Sequence, residues 1–316
     1  MTRTQLLRGA AAVVVVGVVA VFFVRALRAN RASLIENPVT LGWWVAIALL
    51  AFVAAVAVSG VLWGRIVARL ERRPLAATEA IRVHFASWLL KYVPGQAGFV
   101  VNKVMWAQRR GTSRTLALIS VVYENAFLLV ASTVPMVAAL LVARAFAGSD
   151  AGVSGDAWLV AGGVAVLLVF LHPRILRGVI GTIVRRVAKR RVPDSYFLSG
   201  REVIGWVAAF TVPRLINGIG VVVIGVAVAD VGTDAWIPLI AAYAIAGALG
   251  IMAIFVPSGL GVRESAFVVL VTGALPLDRA IVVALVARVV STVADVAIAA
   301  ALGVLSLVKR RKEHQP

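Results

Sequence analysis

The chain has no cysteine, only three histidines, and 14 acidic residues against 32 lysines and arginines. The missing thiols exclude a disulfide scaffold, a thiolate metal site, a haem-attachment motif and a cysteine nucleophile. They leave the compartment open, because a chain without thiols is indifferent to redox. The histidines are His84, His172 and His314, and no His-Glu-x-x-His occurs among them, so the helical zinc-protease pattern is absent. No Asp-x-Asp is present for a metal-dependent glycosyltransferase. No Gly-x-x-x-x-Gly-Lys-Ser/Thr is present to hold a nucleotide. Pro257-Ser258-Gly259 is similar to a lipid-phosphatase fragment, but Leu260 stands where that motif needs histidine. With no catalytic motif, the expectation is a protein that is not an enzyme and needs no cofactor or metal.

Apolar side chains are abundant. They make up 61% of the 316 residues, and the mean hydropathy is +0.98. Soluble domains sit nearer 45–50% even with glycine counted. A globule of this size has too little interior to hide so much apolar surface, and a disordered chain needs low hydrophobicity. The remaining class is an all-α polytopic membrane protein. Apolar runs long enough to cross a bilayer, about twenty residues each, fall at Leu6 to Val24, Leu41 to Leu62, Thr115 to Ala143, Ala157 to Leu171, Val203 to Ala229 and Ala280 to Val308. Trp43, Trp44 and Trp63 bracket the second run as an interfacial aromatic belt does.

A formal net charge of +18 would suit nucleic acid, but its placement suits membrane topology better. If spans alternate, 24 of the 32 basic residues fall on one side: the segments 64–114 and 172–202, the tail Lys309 to Lys312, and Arg3 and Arg8. The opposite loops carry Asp150, Asp156, Asp230 and Asp234 with Arg144 alone. Both termini are therefore expected to be cytoplasmic, in the cell membrane, with no nucleic-acid partner. Arg25, Arg28 and Arg31 are the misfit to this rule. The first run has the basic start of a signal peptide but no clean cleavage site, so it reads as an uncleaved signal-anchor.

Two apolar stretches are broken in the middle. One reads Lys91-Tyr92-Val93-Pro94-Gly95-Gln96-Ala97-Gly98, the other Val256-Pro257-Ser258-Gly259-Leu260-Gly261-Val262-Arg263-Glu264. Each is Val-Pro-x-x-x-Gly, and each lies between two long spans. Proline removes a helical hydrogen bond and glycine permits turns that other residues resist. At membrane depth such breaks are tolerated inside protein or beside a water-filled cavity. If both stretches dip in and return, one from each side, then span, hairpin and span recur upside down, as in many transporters. The expected fold is about six full spans plus two re-entrant hairpins in one transmembrane domain, 1–316. The first half is 41–143 with its hairpin near 80–110, and the second 203–308 with its hairpin near 236–274.

Ionisable residues at membrane depth cost about 2.5–3.5 kcal/mol on insertion scales and are functional candidates by default. They are Glu124 in the third span, Arg214 in the fifth with Asn217 three residues on, Arg263 and Glu264 after the second break, and Arg288 and Asp295 in the last span. Arg288 and Asp295, seven residues apart, share a helix face. Glu124 lies 30 residues after Pro94 and Arg288 lies 31 after Pro257. Two readings stay open: they pair across the repeat interface, or both face a cavity. Either pair could also serve packing alone. Arginines clamp phosphate with a planar fork of donors, and exposed N–H groups at half-helix starts attract anions. The set suits an anionic head group.

The motifs Lys91-Tyr92-Val93-Pro94-Gly95 with Gly98, Ser120 to Glu124, and Pro257-Ser258-Gly259-Leu260-Gly261 with Glu264 resemble the flippase-like membrane domain of lysylphosphatidylglycerol synthetases and their stand-alone relatives. The resemblance runs over roughly residues 8–308, with Gln96 and Ala97 standing where relatives often have glycine. It implies lipid translocation, with aminoacylated phospholipids or polyprenyl-phosphate-linked sugars as substrates. It makes Pro94, Gly95, Gly98, Glu124, Pro257, Gly259, Gly261 and Glu264 motif residues. The expectation is thus a stand-alone flippase for an anionic lipid, foremost a polyprenyl-phosphate-linked sugar. Arg214, Arg263 or Arg288 would hold phosphate, while Glu124 and Glu264 shape or couple the motion. The alternatives are an aminoacyl-phospholipid flippase, an ion-coupled transporter of a soluble anion, or a scaffold for a biosynthetic enzyme. A glycosyltransferase or other lipid-modifying enzyme is a candidate partner. Gly60 and Gly64 form a small-xxx-small pair that docks helices, internally or between copies.

Overall fold

The computed structural model describes residues 42–92, 97–146, 173–188, 193–253 and 257–313, with isolated positions 21, 24, 25, 28 and 31. The expected fourth span, the first span apart from positions 21 and 24, and Pro94 and Gly95 of the first break lie outside the described residues. The described elements are α1 (Trp43–Glu71), α2 (Ala77–Trp88) with a 3₁₀ turn Leu89–Tyr92, α3 (Ala97–Arg109), α4 (Arg114–Phe146), α5 (Pro173–Ala188), α6 (Gly200–Ala229), α7 (Trp236–Met252) with a 3₁₀ turn Pro257–Gly259, α8 (Val262–Val271) and α9 (Leu277–Glu313). Among the described residues the fold is all-α, relieved by one isolated bridge between Thr272 and Leu275. Five helical segments are long and apolar enough to cross a membrane: Trp43–Glu71, Arg114–Ala143, Asp194–Ala229, Thr233–Met252 and Leu277–Val304.

Local chemistry sets the ends of these helices. α1 stops where Arg72 turns into the left-handed region at φ 57°, two residues before Pro74. α6 starts at Ser199, whose side chain accepts from the Glu202 N–H while the Glu202 carboxylate accepts from the Ser199 N–H at 2.8 Å. This reciprocal cap satisfies two amides that the helix itself cannot. Glu202 also accepts from Arg69 Nε at 2.7 Å, tying the start of α6 to the end of α1.

α1 is the central strut. It packs along α6 on one side and α2 on the other. Gly60 and Gly64 make the second contact possible. A Cβ on Gly64 would lie 2.4 Å from the Ala80 Cβ, and one on Gly60 would lie 2.9 Å from the His84 Cβ. The small-residue pair that the sequence left between two uses is spent inside the chain.

Three apolar clusters result among the described residues, the smallest joining Met136, Val137 and Leu140 of α4 to Ala241, Ala244 and Ile245 of α7. Of the two larger, one gathers Trp63, Ile66, Tyr123, Phe127 and Phe210. The other gathers Phe52, Tyr243, Phe267, Val283 and their neighbours. α1 and α6 contribute to both. The two broken segments differ in length. α2 and α3 have 12 and 13 residues, whereas α7 has 17 and α8 only 10. The sequence led us to expect two like hairpins. The stretch Thr233–Met252, expected as one arm of a hairpin, is long and apolar enough to cross a membrane, and α7 carries no charged residue, while α2 carries Glu79 and Arg82.

Candidate functional site

A cavity of about 130 Å³ lies where the two broken segments approach each other, walled by α1, α2, α4, α6, α7 and α9. Its polar wall holds Lys91, Glu124, Arg214, Arg263 and Asp295. Apolar side chains such as Phe52, Val56 and Leu128 supply much of the rest.

The first broken segment is anchored to the last span through one carboxylate. Trp88 Nε1 donates to Asp295 Oδ1 at 2.8 Å, Tyr92 Oη donates to Oδ2 at 2.6 Å, and Lys91 Nζ lies 2.7 Å from Oδ2. The Lys91 ammonium also sits 4.1 Å from the centre of the Trp88 ring. The 3₁₀ turn stacks residues three apart, so Trp88 at the end of α2 and Lys91 share a side, and Tyr92 reaches the same carboxylate through its long side chain. Asp295 is thereby supplied with three donors, one of them charged.

Deeper in the same half, Lys103 Nζ contacts Glu124 Oε2 at 2.5 Å and His84 Nδ1 at 3.2 Å, and His84 Nδ1 lies 3.2 Å from Glu124 Oε1. All three residues are at most 1% exposed. The Lys103 ammonium is packed over the Phe99 and Trp63 rings at 4.1 and 4.3 Å. A charge so deep is tolerable because a carboxylate and two ring faces replace its water. Lys103 stands on the buried stripe Phe99, Lys103, Ala107 of α3, at spacing four.

The second broken segment is built differently. Ser258, Gly259 and Gly261 all have positive φ, at 54°, 64° and 82°. Gly259 passes so close to α7 that an added Cβ would lie 2.7 Å from the Gly250 Cα. Glu264 closes the start of α8 by accepting from the Gly261 N–H at 2.7 Å. Its other oxygen lies 3.5 Å from Arg288 Nε, and Arg288 Nη1 donates to the Ser258 carbonyl at 3.4 Å. These two contacts are long, and Arg288, 4% exposed, keeps a buried Nη2 without a hydrogen-bond partner.

Arg214 and Arg263 face the cavity with weaker compensation still. Arg214 is 8% exposed and its Nε is buried without a partner. Arg263 lies 4.2 Å from the centre of the Tyr243 ring. Among the described residues no carboxylate comes within 4.0 Å of either guanidinium.

The candidates named from sequence thus separate. Lys91, Glu124, Arg214, Asn217, Gly259, Arg263 and Asp295 meet at the cavity, and Tyr92 reaches it through Asp295. Arg288 and Glu264 line a small adjoining void with Tyr243 and Arg263. Gly98 begins α3, and Pro257 and Gly261 shape the second turn. Pro94 and Gly95 lie outside the described residues. Glu124 and Arg288 do not pair with each other: each takes its nearest partner within its own half, Lys103 and Glu264.

Lys103, His84 and Trp88 were not anticipated as site residues. Lys91 and Lys103 counted from sequence as cytoplasmic loop markers, and the structure buries both ammonium groups against carboxylates. A lysine on the apolar stripe of a short helix was the available signal.

The family described as Lysylphosphatidylglycerol synthase TM region matches residues 9–299. A comparison with curated proteins returns no match. The family match takes in the motifs, both broken segments and every wall of the cavity, and the chain belongs to the lysylphosphatidylglycerol synthase transmembrane-region family.

Proposed function

We propose that the chain is a lipid translocase that moves an anionic, phosphate-bearing lipid between membrane leaflets, with a polyprenyl-phosphate-linked sugar as the first substrate to try. One observation carries the reading: a cavity between five apolar spans has two arginines in its wall and, among the described residues, no carboxylate paired to either. Uncompensated guanidinium at membrane depth is costly, and an anionic ligand is what would offset it. The polar head would pass through this cavity while the tail stays in lipid.

The fold reading behind the proposal is an inverted repeat with two re-entrant segments. α2 and α3 support it, being about 18 and 20 Å long at 1.5 Å per residue, against a hydrocarbon core of about 30 Å. α8, at about 15 Å, is also too short to cross alone. In this reading both termini face the cytoplasm of a cell membrane, and the chain transports rather than catalyses. A lipid-modifying enzyme would supply or consume the lipid. The family description favours a second reading, an aminoacyl phospholipid as cargo.

The test is transbilayer movement in proteoliposomes. A labelled polyprenyl-phosphate sugar and a labelled aminoacyl phospholipid are offered in parallel, with and without an imposed proton gradient. Movement of one lipid by the native chain, lost in Arg214→Gln, supports the proposal and names the cargo class. A folded chain that moves neither lipid under either condition rejects it.

A further inference from the structure

The charge inside the cavity points to more than an anion of any kind. We infer that the site takes a doubly charged phosphomonoester, a lipid ending in a bare phosphate, in preference to a singly charged phosphodiester. This rests on the translocase reading and changes its cargo, because a sugar joined through a single phosphate is a phosphodiester, as is an aminoacyl phospholipid.

The balance of charges is the first argument. Lys91 is offset by Asp295, and Lys103 by Glu124. Arg288 and Glu264 offset each other in the adjoining void. Arg214 and Arg263 remain, leaving the wall with two positive charges among the described residues. Segments 93–96 and 254–256 carry no charged residue, so they add nothing to the balance. A phosphomonoester carries about −1.5 to −2 at pH 7, which matches both guanidiniums. A phosphodiester carries one charge and leaves one guanidinium uncompensated.

The second argument is the kind of group the wall can accept. An ammonium head group needs an open carboxylate; Asp295 is held by three donors, and Glu124 binds Lys103 through Oε2 while its Oε1, 3.2 Å from His84 Nδ1, is buried rather than open to the cavity. The two arginines offer donors only. Arg214, nine-tenths buried, presents an Nε that has no partner among the described residues. Size agrees. The cavity, about 130 Å³, is several times the ~10–15 Å³ that one water needs, so a phosphate group fits.

Ligand-induced thermal stabilisation of the purified full-length chain in uncharged detergent tests this, because a ligand that binds the folded state raises its melting midpoint with concentration. The probes are phosphatidic acid as the phosphomonoester, phosphatidylglycerol as the phosphodiester, and inorganic phosphate. The expected result is an apparent affinity about tenfold higher for phosphatidic acid than for phosphatidylglycerol, the size of one charge-assisted contact. Arg214→Gln should lose about tenfold on phosphatidic acid, with part recovered in Arg214→Lys. Arg174→Gln, exposed and outside the cavity wall, should leave the affinity as it is. Equal stabilisation by the two lipids, or no loss in Arg214→Gln, overturns the inference while leaving an anionic-lipid translocase standing. Stabilisation by inorganic phosphate with none by either lipid overturns both, in favour of a soluble anion. No stabilisation by any probe overturns the inference, and the transport assay then decides the translocase reading separately.

Discussion

The two broken segments begin from the same sequence pattern and end with opposite electrostatics. Around the first, every buried cation has a carboxylate: Lys91 has Asp295 and Lys103 has Glu124, at 2.7 and 2.5 Å. Around the second, Arg288 has Glu264 only at 3.5 Å, and Arg214 and Arg263 have none among the described residues. The first segment is therefore held by internal pairs, which fix geometry and offset its cations. The second holds the donors that a ligand can use. A repeat whose halves shared one role would not divide its charges this way.

Variants can break this comparison, and the largest effect belongs to the first segment. Glu124→Ala strands Lys103 at 0% exposure, and loss of one partner of a buried pair costs about 3–5 kcal/mol. A steep fall in the unfolding temperature in detergent is expected. A fall no larger than that of a surface substitution would mean that Lys103 and Glu124 are not a paired unit. Asp295→Asn keeps the hydrogen-bonding shape but removes the charge facing Lys91. Its expected cost is about 1.5–3 kcal/mol, the range for hydrogen bonds to charged groups, and the first turn should show faster amide exchange near residues 88–92.

The second segment should respond to backbone change before charge change. Gly259→Ala forces a Cβ onto the Gly250 backbone at a positive φ, and a loss of more than about 1 kcal/mol is expected on thermal unfolding. Arg214→Gln is the smallest in stability and the sharpest in contrast. Removing a buried charge that lacks a carboxylate should leave stability within about 0.5 kcal/mol of native, or raise it, while lipid movement is lost. If Arg214→Gln instead destabilises as much as Glu124→Ala, the second segment has an internal anion after all and the comparison fails.

Much of this was legible in the residues. Four of the five candidate spans followed from apolar runs, whereas Thr233–Met252 had read as part of a hairpin, and the second break followed from Pro257 and Gly259. Glu124, Arg214 and Asp295 were visible as charges where the sequence otherwise holds none. The roles were harder. Glu264 reads as a functional carboxylate beside irregular backbone, yet in the fold one of its oxygens caps α8 and the other faces Arg288. Spacing after each proline matched Glu124 with Arg288, but equal register does not bring two side chains together. Lys103 was hidden because a one-dimensional count of basic residues sees a loop marker, and only the packing of α3 against Trp63 and Glu124 shows an interior charge.

The sequence by itself determined the solvent and the secondary structure. Twenty-residue apolar runs have one stable home, and in lipid their backbone must be helical to satisfy its own hydrogen bonds. Proline and glycine set where two of those helices break. Tertiary structure decided which charges pair, because pairing depends on distances of a few ångströms between side chains more than two hundred residues apart, such as Lys91 and Asp295. It also left Arg214 and Arg263 without carboxylates among the described residues.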